Sequence, residues 1–378
     1  MSRSIAPGHI DWLILLPIAG LLMFSVAFVY SASSTFSAVK FGSSEQLFWN
    51  HAFRVLLGLV LMIGVSRVDY RAWERVSATA LLIGVGFLVM VLLMGTEIKG
   101  ASRWVHLGPI NFQPSELAKF ALVLHTAVLL SARKALVRDW RKSVLPVLAW
   151  TVPVCALIAL QPNLSTASVI FLIVLSMMFL ADVRPIHLAA VIGAGSLVGG
   201  IYAVSAEYRM KRLMAFFGSD GSDSAVEYQL DQALIAFGNG GITGVGPGQS
   251  RQRDWFLPES YGDFIFSIVG EEYGFIGVAL LLGSFALIVW RGYGVARKAP
   301  DAYGRLLAGG ITTTLGLYAF VNAGVTCGLL PTTGLPMPFI SYGGSSVFFS
   351  AIAVGVLLNI SSHAGVYKRK VPPVPIDS

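Results

Sequence analysis

Charged residues are scarce in this chain. Asp, Glu, Lys and Arg make up 12% of its 378 residues, whereas a soluble domain carries roughly a quarter. Hydrophobic residues reach 55% and run through the whole length, which excludes a large soluble domain and indicates an integral membrane protein. In such a protein the net charge of +7 fits Lys and Arg retained on the cytoplasmic side, rather than nucleic-acid binding.

Cysteine and histidine are also few. We expect no disulfide between the two cysteines, Cys155 and Cys327, which lie in or beside apolar segments. The six histidines lack the spacing of a zinc site. A phosphate-binding loop is excluded as well, because no Gly-Lys-Ser/Thr follows the glycine-rich stretch 239–248 and no strand pattern precedes it. That stretch instead predicts close approach of two backbones or re-entry into the membrane.

Ten apolar segments approach the ~20 residues that cross a bilayer. They predict an all-α integral membrane protein with about ten transmembrane helices, in one domain over residues 1–378. We interpret the first segment as a retained helix rather than a cleaved signal peptide. The segments are Trp12–Tyr30, His51–Ser66, Ala78–Leu93, Glu116–Leu130, Val144–Leu160, Ser165–Leu180, Ile186–Val204, Asp263–Trp290, Arg305–Val325 and Ser345–Ser362.

The distribution of basic residues predicts the orientation. Loops assigned to the cytoplasm carry more Lys and Arg than those on the opposite side, which places both termini in the cytoplasm. The chain then has one large extracytoplasmic loop, at about residues 205–262 between helices 7 and 8, and a cytoplasmic tail at about 363–378. This external loop is basic, which suits an anionic substrate.

Three carboxylates accompany the eighth apolar segment: Asp263 at its start, and Glu271 and Glu272 about two turns deeper. Acids at membrane depth are costly and persist where a partner or a cavity receives them. Asp263 is either a helix cap or a partly desolvated carboxylate suited to general-base chemistry. Because consecutive helical residues point about 100° apart, Glu271 and Glu272 cannot face the same way, and we expect both to be structural. The long segment Asp263–Trp290 is expected to tilt or to be broken.

Lys119 needs an acid nearby. Pro114, Ser115 and Glu116 predict a helix start, which places Lys119 one turn inside a membrane helix. Glu116 is its local candidate partner, on the same helix face, and Asp263 is the non-local one. Further along, the prolines and glycines of residues 328–346 interrupt a helical pattern, as irregular backbone does where it lines an enclosed cavity. Ser341, Tyr342 and Ser345 would supply hydrogen-bond donors there.

Five motifs, in this order and spacing, resemble the SEDS family, the FtsW and RodA peptidoglycan polymerases. They are GASRWVHLG…FQPSELAKF, QPNLSTA, YRMKRLMAFF, GNGGITGVGPGQSRQ…FLPE…DFIFSIVGEEYGFIG and GLLPTTGLPMPFISYGGSS, and the likeness runs from about Asp11 to Ser362. The GQSRQ and GLPMPFISYGGSS elements are closer to the FtsW branch. Two departures stand out: Asn163 and Ser165 replace the usual Asp and Gly, and Tyr261-Gly262 replaces the usual His-Thr.

The resemblance implies a glycosyltransferase that polymerises lipid II at the outer face of the bacterial cytoplasmic (inner) membrane. It implies Asp263 as the catalytic residue, with Lys119 and Glu116 as its charge partners. It also implies a class B penicillin-binding protein transpeptidase as partner, along with other divisome or elongasome membrane proteins, and a divalent cation (Mg or Mn) whose site is unknown. The candidate substrate-binding residues are Arg103, Gln113, Ser115, Gln161, Arg209, Arg212, Arg251, Glu259, Ser341 and Tyr342.

In the mechanism that we expect, Asp263 is the general base on the acceptor hydroxyl. The cations of the external loop, which also include Lys211 and Arg253, receive the leaving pyrophosphate. Two other readings stay open. Gly/Pro-broken helices and polar residues inside a bundle also suit a flippase for the lipid-linked precursor. A divisome scaffold without chemistry is the other alternative, although it would leave the buried charges unexplained.

Overall fold

The computed structural model describes residues 9–364, apart from residues 95, 99–100, 108–109, 134–135, 206–209, 211–213, 215, 217–224, 255 and 258–259. The long helices in this part of the chain are α1 Trp12–Phe41, α2 Gln46–Ser66, α3 Arg71–Met94, α4 Pro114–Ala132, α5 Leu145–Leu160, α6 Leu164–Leu180, α7 Pro185–Val204, α8 Ala225–Gly240, α9 Ile265–Lys298, α10 Ala302–Thr326 and α11 Ser345–His363. A π-helical turn, Trp140–Val144, leads into α5.

The predicted apolar segments are all helices, which confirms the fold class. Within the described residues, nine helices are long and apolar enough to cross a membrane, and α6 is a shorter apolar helix. Several helices are longer than the spans predicted from the sequence. Helix α1 continues to Phe41, and α2 and α3 begin at Gln46 and Arg71. The predicted spans counted only the apolar residues, whereas these helices extend beyond their apolar stretches.

One helix and a three-stranded sheet were not predicted from the sequence. Helix α8 lies within the stretch predicted as the large external loop. Three short antiparallel strands connect α3 to α4: β1 Thr96–Ile98, β2 Ala101–Leu107 and β3 Ile110–Phe112, with β2 in the centre. Val105 pairs with Phe112 in the β2–β3 register, so this hairpin leads directly into the start of α4.

Side-chain caps fix several helix starts. The carboxylates of Asp11 and Asp301 accept hydrogen bonds from the backbone N–H groups of Leu13 (3.0 Å) and Gly304 (2.7 Å). Asn163 caps α6 by accepting from the N–H of Thr166 at 3.4 Å. Asn and Asp serve almost equally well at this position, so the departure of Asn163 from the family turn keeps the capping function.

Helices α4 and α10 form the interior of the bundle. In their most apolar stretches 72% and 78% of the residues are buried, against 11% in α7 at the periphery. Close packing of α10 uses glycine: a Cβ at Gly310 would lie 2.8 Å from the sulfur of Met177 and 2.9 Å from Val123. The two central helices therefore carry the side chains that are best shielded from lipid.

Helix α9 is broken in the middle. Gly274 has φ 64° and ψ −162°, which interrupts the helix between an outer half, Ile265–Tyr273, and an inner half. The glycine-rich stretch after α8 takes over the released backbone groups. Val245 and Gly246 donate to the carbonyls of Glu271 (2.9 Å) and Glu272 (3.1 Å), and Phe275 donates to that of Gly241 (2.9 Å). Close backbone approach by this stretch, as predicted, is confirmed.

A polar cluster lies at the end of the bundle where α3 and α10 begin. Tyr70 and Arg71 both bond Asp301, the latter at 3.1 Å. Burial, and then the hydrogen bond to Asp301, raise the pKa of Tyr70 well above its ordinary value. Tyr70 therefore stays a neutral hydrogen-bond donor throughout the physiological range, and it ties the start of α3 to the start of α10.

Candidate active site

Asp263 lies half-buried immediately before α9. The N-cap residue of α9 is Phe264, and Asp263 lies one residue before that position. Its carboxylate lies beside the irregular segment 328–344, because a Cβ added to Gly334 would lie 3.3 Å from Asp263 Oδ2. The broken segment of the sequence and the candidate catalytic acid therefore meet at one place, which we call the Asp263 end of the bundle.

Asn322 of α10 holds the backbone on both sides of this site. Its side-chain Nδ2 donates to the carbonyl oxygens of Asp263 (2.8 Å) and Leu335 (2.7 Å). Asn322 is buried, and its Oδ1 has no hydrogen-bond partner in the described part of the chain. Both N–H hydrogens of the Asn322 side chain therefore fix Asp263 relative to the loop that carries Gly334. Asn322 was not predicted from the sequence, although a lone amide in an apolar helix is a detectable signal.

Lys119 pairs with Glu116, the local one of its two candidate partners. Its Nζ lies 2.7 Å from Glu116 Oε2, and both side chains are buried. The ammonium also lies 4.0 Å from the centroid of the Tyr318 ring, a cation–π contact. Tyr318 and Asn322 are four residues apart on α10, so they share a face and are separated by about 6 Å along the axis. Lys119 therefore lies roughly one helical turn from the residue that holds Asp263.

The segment 328–344 is tied down by its own polar groups. The hydroxyl of Ser341 is buried and accepts from the N–H of Met337 at 2.8 Å. The N–H of Tyr342 donates to the carbonyl of Tyr261 at 2.9 Å, and the two rings lie edge to face at 5.8 Å. Ser345 accepts from the N–H of Gln113 at 2.9 Å, which joins the starts of α4 and α11. These contacts position the loop, and the predicted substrate contacts of Ser341 and Tyr342 stay predictions.

The remaining candidates of this region hold backbone in place. Arg103 donates to the carbonyls of Gln161 (3.0 Å) and Pro162, and Gln161 donates to the carbonyl of Leu88 at 3.0 Å. Arg103 thereby ties the β2 strand to the turn between α5 and α6. The hydroxyl of Ser115 is buried without a hydrogen-bond partner among the described residues.

Glu271 and Glu272 face different partners, as predicted. Glu271 accepts from Asn239 Nδ2 (3.1 Å), from the hydroxyl of Ser250 and from the N–H of Gln252 (3.2 Å). Glu272 accepts from the hydroxyl of Ser31 at 2.5 Å and lies 3.9 Å from Arg253. Both acids are buried and join the residue 239–254 region to the break in α9 and to α1, which supports their structural role.

The basic candidates divide into two groups. Arg253 is engaged structurally, since it donates to the carbonyl of Ser31 at 2.7 Å besides facing Glu272. Arg251 is exposed and lines a cleft of about 400 Å³ together with Asn239, Val245, Gln249 and Glu271. Arg209, Lys211, Arg212 and Glu259 lie outside the described residues.

The divalent cation has no assigned site. Among the residues that the structure describes, no three or more His, Cys, Asp or Glu side chains are grouped so that they could hold a metal ion. The cation stays an expectation that comes from the family resemblance.

The fold and site define a multi-pass membrane protein with a carboxylate and a buried acid–lysine pair at one end of its helix bundle. The family model FTSW_RODA_SPOVE, described as cell cycle protein, matches residues 11–365. The chain therefore belongs to the FtsW/RodA/SpoVE family, which confirms the resemblance seen in the motifs.

Relatives and solved structures agree with this membership. The chain is 39% identical over 358 residues to the probable peptidoglycan glycosyltransferase FtsW of Geobacter metallireducens, covering 93% of this chain and 95% of that one. It is 36% identical over 348 residues to the stage V sporulation protein E of Bacillus subtilis, covering 91% and 94%. A solved structure described as a peptidoglycan synthase complex has 28% identity and a TM-score of 0.77, covering 95% and 99%. Thermus thermophilus RodA has 28% identity and a TM-score of 0.69, covering 93% and 96%.

Proposed function

We propose that this chain is a peptidoglycan glycosyltransferase that polymerises lipid II at the outer face of the bacterial cytoplasmic membrane, during division or elongation. The observation that carries the proposal is the half-buried carboxylate of Asp263, whose backbone is held by Asn322 about one helical turn from Tyr318, the ring that contacts the buried Lys119–Glu116 pair, in a family whose relatives bear that activity in their names. The basic residues at the opposite end, Arg71, Arg291 and Arg305 among them, support placing the Asp263 end outside.

In the proposed reaction Asp263 takes the proton of the acceptor sugar's 4-hydroxyl. The oxygen then forms a bond to the anomeric carbon of the donor glycan, and the bond from that carbon to the polyprenyl diphosphate breaks. The diphosphate leaves with the electron pair, and cations close to it stabilise the developing charge. Asn322 supports this chemistry indirectly, because it fixes the backbone of the base.

The proposed partner comes from a similar solved structure. One structure to which the chain is similar is described as coordinating polymerisation and crosslinking in a peptidoglycan synthase complex. We therefore propose that a class B penicillin-binding protein transpeptidase binds this chain.

The test is Asp263→Asn in the purified full-length chain together with its transpeptidase partner. Loss of general-base catalysis is expected to lower glycan-strand synthesis from lipid II by at least about 100-fold. The thermal unfolding temperature should stay within the error of the unchanged protein. Full activity of the variant would overturn the assignment of Asp263.

The same preparation, placed in lipid vesicles, separates the rival functions. A flippase would move labelled lipid II across the bilayer without making strands, and Asp263→Asn would then affect translocation. A scaffold would do neither. Strand synthesis without translocation is the outcome expected for a polymerase.

A further inference from the structure

Arg54 is a cation inside a membrane-spanning helix. It lies in the third turn of α2, about 12 Å along the axis from Gln46 at ~1.5 Å per residue. Its guanidinium carbon lies 4.8 Å from the centroid of the Tyr342 ring. None of the ion pairs between described residues includes Arg54. Its one polar contact in this part of the chain is therefore the face of an aromatic ring.

Two other cations within the long helices are paired with carboxylates. Lys119 and Arg291 each have a carboxylate oxygen, at 2.7 Å and 2.5 Å. A cation–π contact contributes only about 0.5–2 kcal/mol, which is less than the cost of holding a charge at membrane depth. A guanidinium also has five N–H donors in a planar fork, and the ring of Tyr342 satisfies none of them as an acceptor would. The position of Arg54 thus calls for an anion.

The surroundings of Arg54 join it to the Asp263 end. Tyr342 is held by the carbonyl of Tyr261, two residues before Asp263. His51, one turn before Arg54 on α2, lies 5.7 Å from the Tyr342 ring. His51 is fully buried, and its Nδ1 has no hydrogen-bond partner within the described residues. The other ring nitrogen of His51, Nε2, lies 3.0 Å from the hydroxyl of Ser25, so Nδ1 is the unpaired polar atom that adjoins the same ring.

We propose that Arg54 binds a phosphate group of the lipid-linked diphosphate substrate, with Tyr342 holding the guanidinium in place. The fork of an arginine matches phosphate oxygens in a bidentate geometry. A phosphate at membrane depth also suits a lipid-linked diphosphate, whose charged group is fixed to a polyprenyl chain. The inference rests on the proposed function and adds to it a binding residue on α2, outside the basic loop. A phospholipid headgroup has the same chemistry, so the test distinguishes the two sources.

The first measurement is steady-state polymerisation by Arg54→Gln, with Arg67→Gln as control. Arg67 lies at the opposite end of the same helix, is exposed, and carries no assigned role at the site. Losing one charge-assisted contact of about 1.4 kcal/mol corresponds to a tenfold change, so KM for lipid II should rise by about tenfold or more. The value of kcat should change far less. Arg54→Lys keeps the charge but loses the planar fork, so its KM should lie between those of the unchanged protein and Arg54→Gln.

The second measurement is binding of undecaprenyl diphosphate to full-length Asp263→Asn protein, with and without Arg54→Gln, in phosphatidylcholine nanodiscs. Weaker binding by the protein that also carries Arg54→Gln supports the proposal. This measurement needs no polymerisation, so its outcome is independent of whether the proposed function is correct. Equal affinity with and without Arg54 overturns it. If anionic phosphatidylglycerol nanodiscs abolish the difference, Arg54 holds a phospholipid headgroup and the assignment to substrate is wrong.

Discussion

Gly334 lies where backbone conformation and the proposed base meet. Its φ of +68° is left-handed, and an added Cβ would lie 3.3 Å from Asp263 Oδ2. Gly328, in the same loop, has a similar φ of +72°, but its Cβ would meet only leucine side chains at 3.7 Å or more. Both glycines therefore adopt a left-handed backbone conformation, but only Gly334 lies close to the carboxylate of Asp263.

This pair yields a prediction. Gly334→Ala and Gly328→Ala should each lower stability by about 1–2 kcal/mol, the cost of placing an L-residue in the left-handed region. Only Gly334→Ala should also lower the rate of strand synthesis, because its methyl group crowds Asp263. Thermal unfolding and a polymerisation assay on both variants check this. Equal activity loss in the two would show that strain in the loop, rather than contact with the carboxylate, is responsible.

At the scale of elements, the break in α9 depends on glycines from two different segments. A Cβ at Gly244 would overlap the carbonyl oxygen of Glu272, and one at Gly274 would overlap Gly244. The close approach lets Val245 and Gly246 bond the carbonyls that the break leaves open. Since unpaired backbone groups at membrane depth cost several kcal/mol, the loop and the broken helix require each other.

Gly244→Ala is expected to uncouple this loop from α9, with Gly248→Ala as the matched control. Both positions have positive φ, +82° and +76°, but nothing lies within 4 Å of a Cβ at Gly248. Gly244→Ala should therefore cost about 1–3 kcal/mol more. It should also reduce strand synthesis, because the outer half of α9 begins two residues after Asp263. Urea or thermal unfolding compares the two variants, and equal destabilisation would contradict the proposed overlap.

The sequence predicted elements better than it predicted their partners. Apolar length located the spanning segments, and the local spacing of Glu116 and Lys119 identified a pair that the structure confirms. Tyr318 and Asn322 were missed because their roles depend on α4 and on the loop at Leu335, which are distant in sequence. Arg54 was missed for the same reason, because it contacts Tyr342, which lies in the loop before α11 and is distant in sequence. Helix α8 was missed because apolar length alone does not report an amphipathic helix between spans.

At the scale of the whole molecule, Asp11 connects the first helix to α9 and α11. It is fully buried and caps α1. Its Oδ2 accepts from Arg291 of α9 at 2.5 Å, while its N–H donates to Ser361 of α11 at 3.0 Å. These contacts lie at the end of the bundle opposite Asp263. Substitutions of Asp11 can therefore show whether global stability and the proposed chemistry are separable.

Asp11→Asn should keep the helix cap, because Asn caps as well as Asp, but it removes the charge that faces Arg291. We expect a loss of about 1–3 kcal/mol, since one member of a largely buried pair is left without its counter-charge. Asp11→Ala removes the cap as well and should cost about 1 kcal/mol more. Both variants should unfold at lower temperature while the folded fraction polymerises lipid II at the unchanged rate. Activity that falls before unfolding begins would show that the two ends of the bundle are coupled, and that α1 and α9 transmit changes between them.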